Sequence, residues 1–242
     1  MAVTGNDIVK DVRAEVIEPM PAFFSQDRML DLINLAQREY VRETRCLESI
    51  VQTNSVLGQP DYPMPPNFLG SMRVYFNNIQ NGVDQWQPLT PTSLEKISQE
   101  FPNFLNNITT LFQIPFRYYI IATTLYLYPT PNVTGTTNNV KMVFESKPIN
   151  LLTLDDPISI DDSLVPGIRA YVLWKLWAQD NEDTKAEAQH QLYLVEVGKG
   201  RAWKKRRQLD SRVSLDVQSP YTPSYGNINT NGMVQGINPL NM

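Results

Sequence analysis

The chain has 242 residues, 42% of them hydrophobic and 19% charged, and a formal net charge of -4. That balance describes a globular body of one large domain or two small ones, not a disordered chain. An acidic total argues against a sequence-reading DNA binder, which is usually basic, but not against a conduit along which DNA slides unheld.

The single cysteine, Cys46, excludes an intrachain disulfide and reads as a small buried apolar residue. No apolar run reaches membrane-spanning length, and the start, MAVTGNDIVKDVRAEV, has no apolar core of signal-peptide type. The expectation is a protein made and kept in cytoplasm, with no membrane anchor.

Asp7 to Ile17 reads as a short helix, with Asn6 as cap and Pro19-Met20-Pro21 as its end. Ser25 caps a second helix reaching about Arg45. On it Met29, Ile33, Ala36 and Tyr40 fall on one stripe, opposite Asp27, Asp31, Arg38 and Arg42. After Cys46 the pattern changes. Ile50 to Leu57 alternates as a strand, Gly58 to Asp61 turns, and the prolines around Tyr62 to Pro66 force extended backbone. Met72 to Phe76 is a further strand, and Thr92 to Glu100 carries helix-start signals. Arg117 to Ile121 and Leu125 to Tyr128 form a hairpin by spacing. A Thr/Gly/Asn loop over 132–139 precedes a strand from Val140 to Ser146.

The acidic stretch Asp155-Asp156 to Asp161-Asp162 leads into a third main helix, with Pro166 in its first turn. That helix is apolar nearly all round. Leu164, Ile168 and Val172 share one side, while Trp174 and Trp177 point elsewhere, so it has two sides to bury. Together with Tyr171, the two tryptophans are candidate subunit-interface residues, since Trp is enriched at interface centres; core packing beneath the β insertion or the arm is the alternative. Asp183 caps a fourth helix to about Arg207, with Ala188, Leu192, Val195 and Ala202 as its inward stripe. Gly198 and Gly200 each cost about 1 kcal/mol against Ala in a helix interior, so a bend or a close helix contact is expected there.

The helix closes on a basic cluster, Lys204, Lys205, Arg206 and Arg207. It reads as the favourable basic end of a helix, a contact to DNA backbone, or a contact to acidic protein. From Val217 to Met242 there is no charged side chain. Tyr221, Tyr225, Ile228, Met233, Val234, Ile237 and Leu240 are single apolar anchors, too few for a core and enough to lie along another protein; a plain floppy terminus is the alternative. The fold class is therefore α+β: an antiparallel helical bundle (1–46 and 151–207), an inserted small antiparallel β unit (47–150) and an extended arm (208–242).

Little here points to catalysis. His190, the only histidine, sits on a predicted helix off the inward stripe, and Cys46 has no histidine nearby. No nucleophile elbow, phosphate-binding glycine loop or zinc spacing occurs. The acidic pairs could ligate a hard cation or serve a glycan hydrolase. Turn formation and N-terminal charging of the next helix explain them better. No catalytic residue, metal or cofactor is assigned.

Several stretches, taken in order, carry a resemblance. They are Leu32 to Tyr40 with Thr44-Arg45-Cys46; Gly58 to Phe68; Trp86 to Pro91; Leu125 to Pro131; and Val165 to Tyr171 with the long helix after it. Over roughly residues 25–207 the chain resembles the head-to-tail adaptor proteins of short-tailed and related tailed bacteriophages. The resemblance implies a twelve-fold ring below the portal of the filled capsid, in the virion neck, assembled from monomers made in the host cytoplasm. Such a ring extends the channel for viral double-stranded DNA without sequence-specific binding, and offers a docking surface for tail nozzle, tube or fibre proteins. The uncharged arm stands outside the resemblance, so its partner, portal or tail, is open. A tail nozzle or tube ring is the nearer alternative, and a virion-borne cell-wall hydrolase the more distant one.

Overall fold

A computed structural model describes residues 2–16, 25–78, 85–101, 112–132 and 138–218, with the side chains of the last helix described as far as Arg207. The chain divides into two compact units, Met1–Lys204 and Lys205–Met242. The first holds both cores.

α1 spans Gly5–Val16. The backbone N–H and hydroxyl of Thr4 both donate to Asp7 Oδ2 (2.9 and 2.8 Å), which holds that carboxyl below its ordinary range. Thr4 rather than Asn6 therefore starts the helix. Asn6 lies inside the first turn and donates to Asp155 Oδ1 (2.5 Å). Ile17 and Pro19 to Pro21 lie outside the described residues. α2 spans Gln26–Thr44, with Ser25 Oγ accepting from Arg28 N and Arg45 closing it in the left-handed region at φ 54°. The expected stripe is buried: Ile33, Ala36 and Tyr40 are each 0% exposed.

α4 (Val165–Gln179) carries Pro166 in its first turn and follows a 3-10 turn at Asp162–Leu164. α5 (Asp183–Gln218) is the longest helix. It runs through residues 208–218, where an extended arm was expected to begin. The reason is local: no Gly or Pro interrupts the chain between Arg201 and Ser219. The rest of that arm lies outside the described residues.

One apolar core joins helices from both ends of the chain. Ile8, Ile33, Tyr40, Ile168, Leu173, Tyr193 and Val197 belong to it. Tyr40 sits at its centre, and its hydroxyl donates to Glu196 O (3.0 Å). A Cβ on Gly167 would overlap the Tyr40 ring, and one on Gly200 would lie 2.6 Å from Tyr40 Oη and 2.7 Å from Thr44 Cγ2. Gly200 is thus the close helix contact expected near that position. A Cβ on Gly198 would meet nothing within 4 Å.

The middle of the chain is β. Its strands are β1 (Glu48–Thr53), β2 (Asp61–Pro63), β3 (Phe68–Asn77), β4 (Trp86–Pro88), β5 (Thr90–Pro91), β6 (Phe112–Gln113), β7 (Arg117–Ile121), β8 (Thr124–Tyr128), β9 (Thr130–Pro131) and β10 (Val140–Ser146). One four-stranded sheet has the order β1-β10-β3-β4 and another β2-β8-β7-β5. Most pairs are antiparallel, including the β7–β8 hairpin. The unit is not wholly antiparallel as expected: β5 pairs with β7, and β6 with β9, in parallel. Both parallel partners are two-residue strands beside prolines, too short to show a period in the sequence.

Met72, Val74 and Phe76 of β3 alternate inward with Val140, Met142 and Phe144 of β10. They share a second core with Tyr62, Tyr118, Leu125 and Leu127 of the other sheet. Tyr118 Oη donates to Met72 O (2.5 Å), tying the two sheets. α3 (Leu94–Glu100), capped by Ser93, places Ile97 in a smaller cluster with Tyr119 and Tyr128.

Candidate functional site

The tryptophan side of α4 is held by α5. Trp174 stacks on His190 at 4.1 Å between ring centroids and 22° between planes, and Lys175 Nζ lies 3.7 Å from the centroid of the same indole. Tyr171 meets Trp174 edge-on at 5.4 Å and Tyr193 at 5.2 Å, and is itself only 6% exposed. Lys185 Nζ sits 4.4 Å from the Trp177 centroid. Both tryptophans are half-buried against the helical core. Among the described residues, His190 of α5 and the cations Lys175 and Lys185 lie against the two indoles. His190 accordingly lies on the inward half of α5, where it was not expected.

The inward stripe of α5 differs from the expected one. Ala186, Tyr193, Val197 and Gly200 are buried. Ala188, Leu192, Val195 and Ala202 all face solvent, with Leu192 52% and Val195 55% exposed. The helix has two apolar stripes, and the one with the aromatic residue and the glycine faces in. Tyr193 fills the space beside Tyr40 and Tyr171, and only a glycine fits against Tyr40 and Thr44. The pair Tyr193 and Gly200 in the sequence was the available signal.

Lys204, a candidate docking residue, has an internal partner. Its Nζ pairs with Glu145 Oε1, and Glu145, 8% exposed, also faces Arg45 Nη1 at 3.8 Å and accepts from Ser71 N (3.2 Å). A carboxylate this buried requires cations around it. The triad links α2, β10 and α5. Gly70 makes room for it, since a Cβ there would sit 2.6 Å from Arg45 Nη1. Lys205, Arg206 and Arg207 are exposed. They do not end the helix, which continues to Gln218. Tyr221, Tyr225, Ile228, Met233, Val234, Ile237 and Leu240 lie outside the described residues.

The acidic pairs do turn and cap work. Asp156 Oδ2 accepts from the backbone N–H of Leu152 (2.7 Å) and Thr153 (2.8 Å), and the Thr153 and Leu152 hydrogen bonds hold its carboxyl below the ordinary range. Asp161 Oδ1 accepts from Ser163 N (3.0 Å), and Asp162 Oδ1 from Val3 N (3.3 Å). Among the described residues no group of three or more His, Cys, Asp or Glu is placed to hold a metal ion. Burial pushes the Cys46 thiol up, away from the reactive thiolate. No helix among the described residues is long and apolar enough to cross a membrane.

One feature escaped the sequence reading. Between β10 and the Asp155 turn, Ile149 is 75% and Leu152 84% exposed. They stand at a cleft of about 480 Å³ lined also by Ser49, Asn67 and Ser159. Leu151, between them, is buried, with Asn34 of α2 hydrogen-bonding both its N–H (2.7 Å) and its carbonyl (3.0 Å). A smaller groove of about 190 Å³ lies between α1, α4 and α5, lined by Pro166, Ala170, Leu173 and Leu192 with Glu15 and Arg169. Its polar wall is fixed: Arg169 donates to Glu15 Oε2 (2.6 Å) and Gln189 to Glu15 Oε1 (2.7 Å).

The family model described as SU10 adaptor protein matches residues 3–219, so α1 through α5 all fall within it. No curated protein matches the chain. The chain belongs to the SU10 adaptor family, a family of structural bacteriophage adaptor proteins.

Proposed function

We propose that the chain is a structural ring component of a phage neck. Copies, twelve in the full ring, sit between the capsid portal and the tail, extend the DNA channel and offer the surface on which tail proteins dock. The observation that carries this reading is the family match over nearly the whole described chain. Physical features support it. A heterologous contact repeated by rotation closes into a ring only if each copy offers two different complementary sides. Among the described residues, Ile149, Leu152, Leu192 and Val195 are large apolar side chains that stand exposed. A net charge of -4 suits a channel wall that does not grip phosphates.

In this reading Trp174 and Trp177 offer their remaining exposed edges to a neighbour or to the tail, with Tyr171 bracing Trp174 from inside the core. Lys205, Arg206 and Arg207, with Lys204 anchored to Glu145, head a segment whose uncharged end, through Tyr221, Tyr225, Ile228, Met233, Val234, Ile237 and Leu240, docks on the portal or the tail. The test is electron microscopy of the purified protein mixed with its portal. Added ring density on the portal supports the reading, and a bare portal at saturating protein overturns it.

A further inference from the structure

The two four-stranded sheets have four outer edges, and three of them are blunted. β2, β4 and β5 each run three residues or fewer and each contains a proline, Pro63, Pro88 and Pro91. Short strands and prolines are ordinary means of closing a sheet edge. β1 is the exception. It runs six residues, keeps an unbroken register with β10, and carries no Pro or Lys. Its main-chain groups divide by alternation. Ser146 N donates to Leu47 O (3.1 Å), so Ser49, Val51 and Thr53 likewise turn their N–H and C=O toward β10. Those of Glu48, Ile50 and Gln52 point the other way. Among the described residues nothing pairs with them. Ile50 is 64% and Val51 37% exposed.

Such an edge takes an extended backbone. Glu48 is the one charged side chain of β1 and is already paired with Arg73 (3.3 Å), so a neutral strand fits. Val51 and Thr53 stand opposite Met142 and Val140 of the second core. Pairing of β1 with β1 of another copy is isologous and stops at two copies, so a ring needs a different strand. A strand of matching character lies in the uncharged last segment. Asn227-Ile228-Asn229-Thr230-Asn231 alternates, puts two β-branched side chains on one face, and is bounded by Gly226 and Gly232. Residues 219–226 give it a reach of up to about 28 Å from the end of α5.

We propose that residues 227–231 of one copy add as a strand to the free edge of β1 in the next, with Ile228 opposite Val51 and Thr230 on the same face. The occupant of the edge is a second copy of this chain. This inference rests on the ring reading above and supplies a head-to-tail contact for it, since the segment and the edge are different surfaces. Met233 to Leu240 lie beyond the added strand and remain for the portal or the tail.

The test uses full-length protein assembled on its portal. Val51→Cys and Ile228→Cys are introduced together, with each single variant as control; Cys46 is buried and is left in place. Val51 turns its backbone away from the added strand, so the residue opposite it forms a close pair, with Cα atoms about 4.5 Å apart, that admits a disulfide. Under mild oxidation the double variant gives a ladder of covalent oligomers, a mixture of the two singles gives dimers, and either single alone gives neither. Adding Gln52→Pro removes an outward N–H and none that faces β10. The ladder is then lost while the melting curve of the free chain stays close to wild type; if that variant unfolds, the cysteine pair alone decides. Wild-type rings on the portal with no ladder from the double variant overturn the inference and leave the ring reading standing. A disulfide formed only within single chains also overturns it, because the segment then returns to its own β1. If wild type forms no ring, both fall.

Discussion

Tyr40 illustrates how single residues set this fold. Its ring occupies space that Gly167 and Gly200 leave open, and its hydroxyl reaches a main-chain carbonyl of α5. Gly200→Ala therefore forces overlap and destabilises by about 1–3 kcal/mol, the usual cost of overpacking. Gly198→Ala, two positions away in open space, stabilises by up to about 1 kcal/mol through helix propensity. Urea unfolding of the two variants checks the opposite signs. The buried tyrosines also predict the response to base. Burial pushes the phenols of Tyr40, Tyr193, Tyr62 and Tyr118 up from 10.0, and that of Tyr119 to about 12. A raised folded-state value favours the protonated native form. The associated stability is complete below pH 10 and falls as pH climbs through the folded values. Tyrosinate absorbance should rise together with loss of helix signal above about pH 10; full tyrosine titration with the fold intact contradicts this. At Glu145, replacement by Ala leaves Lys204 and Arg45 without their shared carboxylate and costs about 3 kcal/mol, the low end for breaking a buried pair. A double-mutant cycle with Lys204→Met measures the coupling.

Among elements, α2 and α5 differ in how much their sequences disclose. α2 has one apolar stripe, so periodicity identifies the buried face and the charged face directly. α5 has two stripes, and periodicity alone cannot say which faces in. The decision comes from shape: Tyr193 fits among Tyr40, Tyr171 and Trp174, and Gly200 admits the Tyr40 hydroxyl. Tyr193→Ala should thus cost about 3–5 kcal/mol, as for other buried aromatics. Leu192→Lys should stay within about 0.5 kcal/mol in the isolated chain. Thermal unfolding of both decides it, and a large loss from Leu192→Lys contradicts the orientation. The strands of the β unit were legible where alternation is long, as in β3 and β10. The two-residue parallel partners were not, since pairing over residues distant in sequence leaves no local trace. The same holds for the Arg45–Glu145–Lys204 triad, whose Lys204–Glu145 arm spans 59 residues. The solvent-facing Ile149 and Leu152 read in the sequence as ordinary loop apolarity, because nothing local marks which apolar side chains of a loop stay exposed.

At the scale of the molecule, the helices from both ends of the chain share one core, and the β unit contributes a second. Among the described residues neither core covers Ile149, Leu152, Leu192 or Val195. The uncharged segment after Gln218 is proposed to dock on the portal or the tail. Truncation after Gln218 should leave the melting curve of the free protein unchanged while weakening its hold on portal or tail. Equal retention of full-length and truncated protein through a salt wash would remove the docking role. The most direct measurement is side-chain-resolution imaging of the neck in an intact particle. A closed ring of this chain between portal and tail is the predicted result. Density for this chain elsewhere in the particle, or single copies that form no ring, would contradict the account.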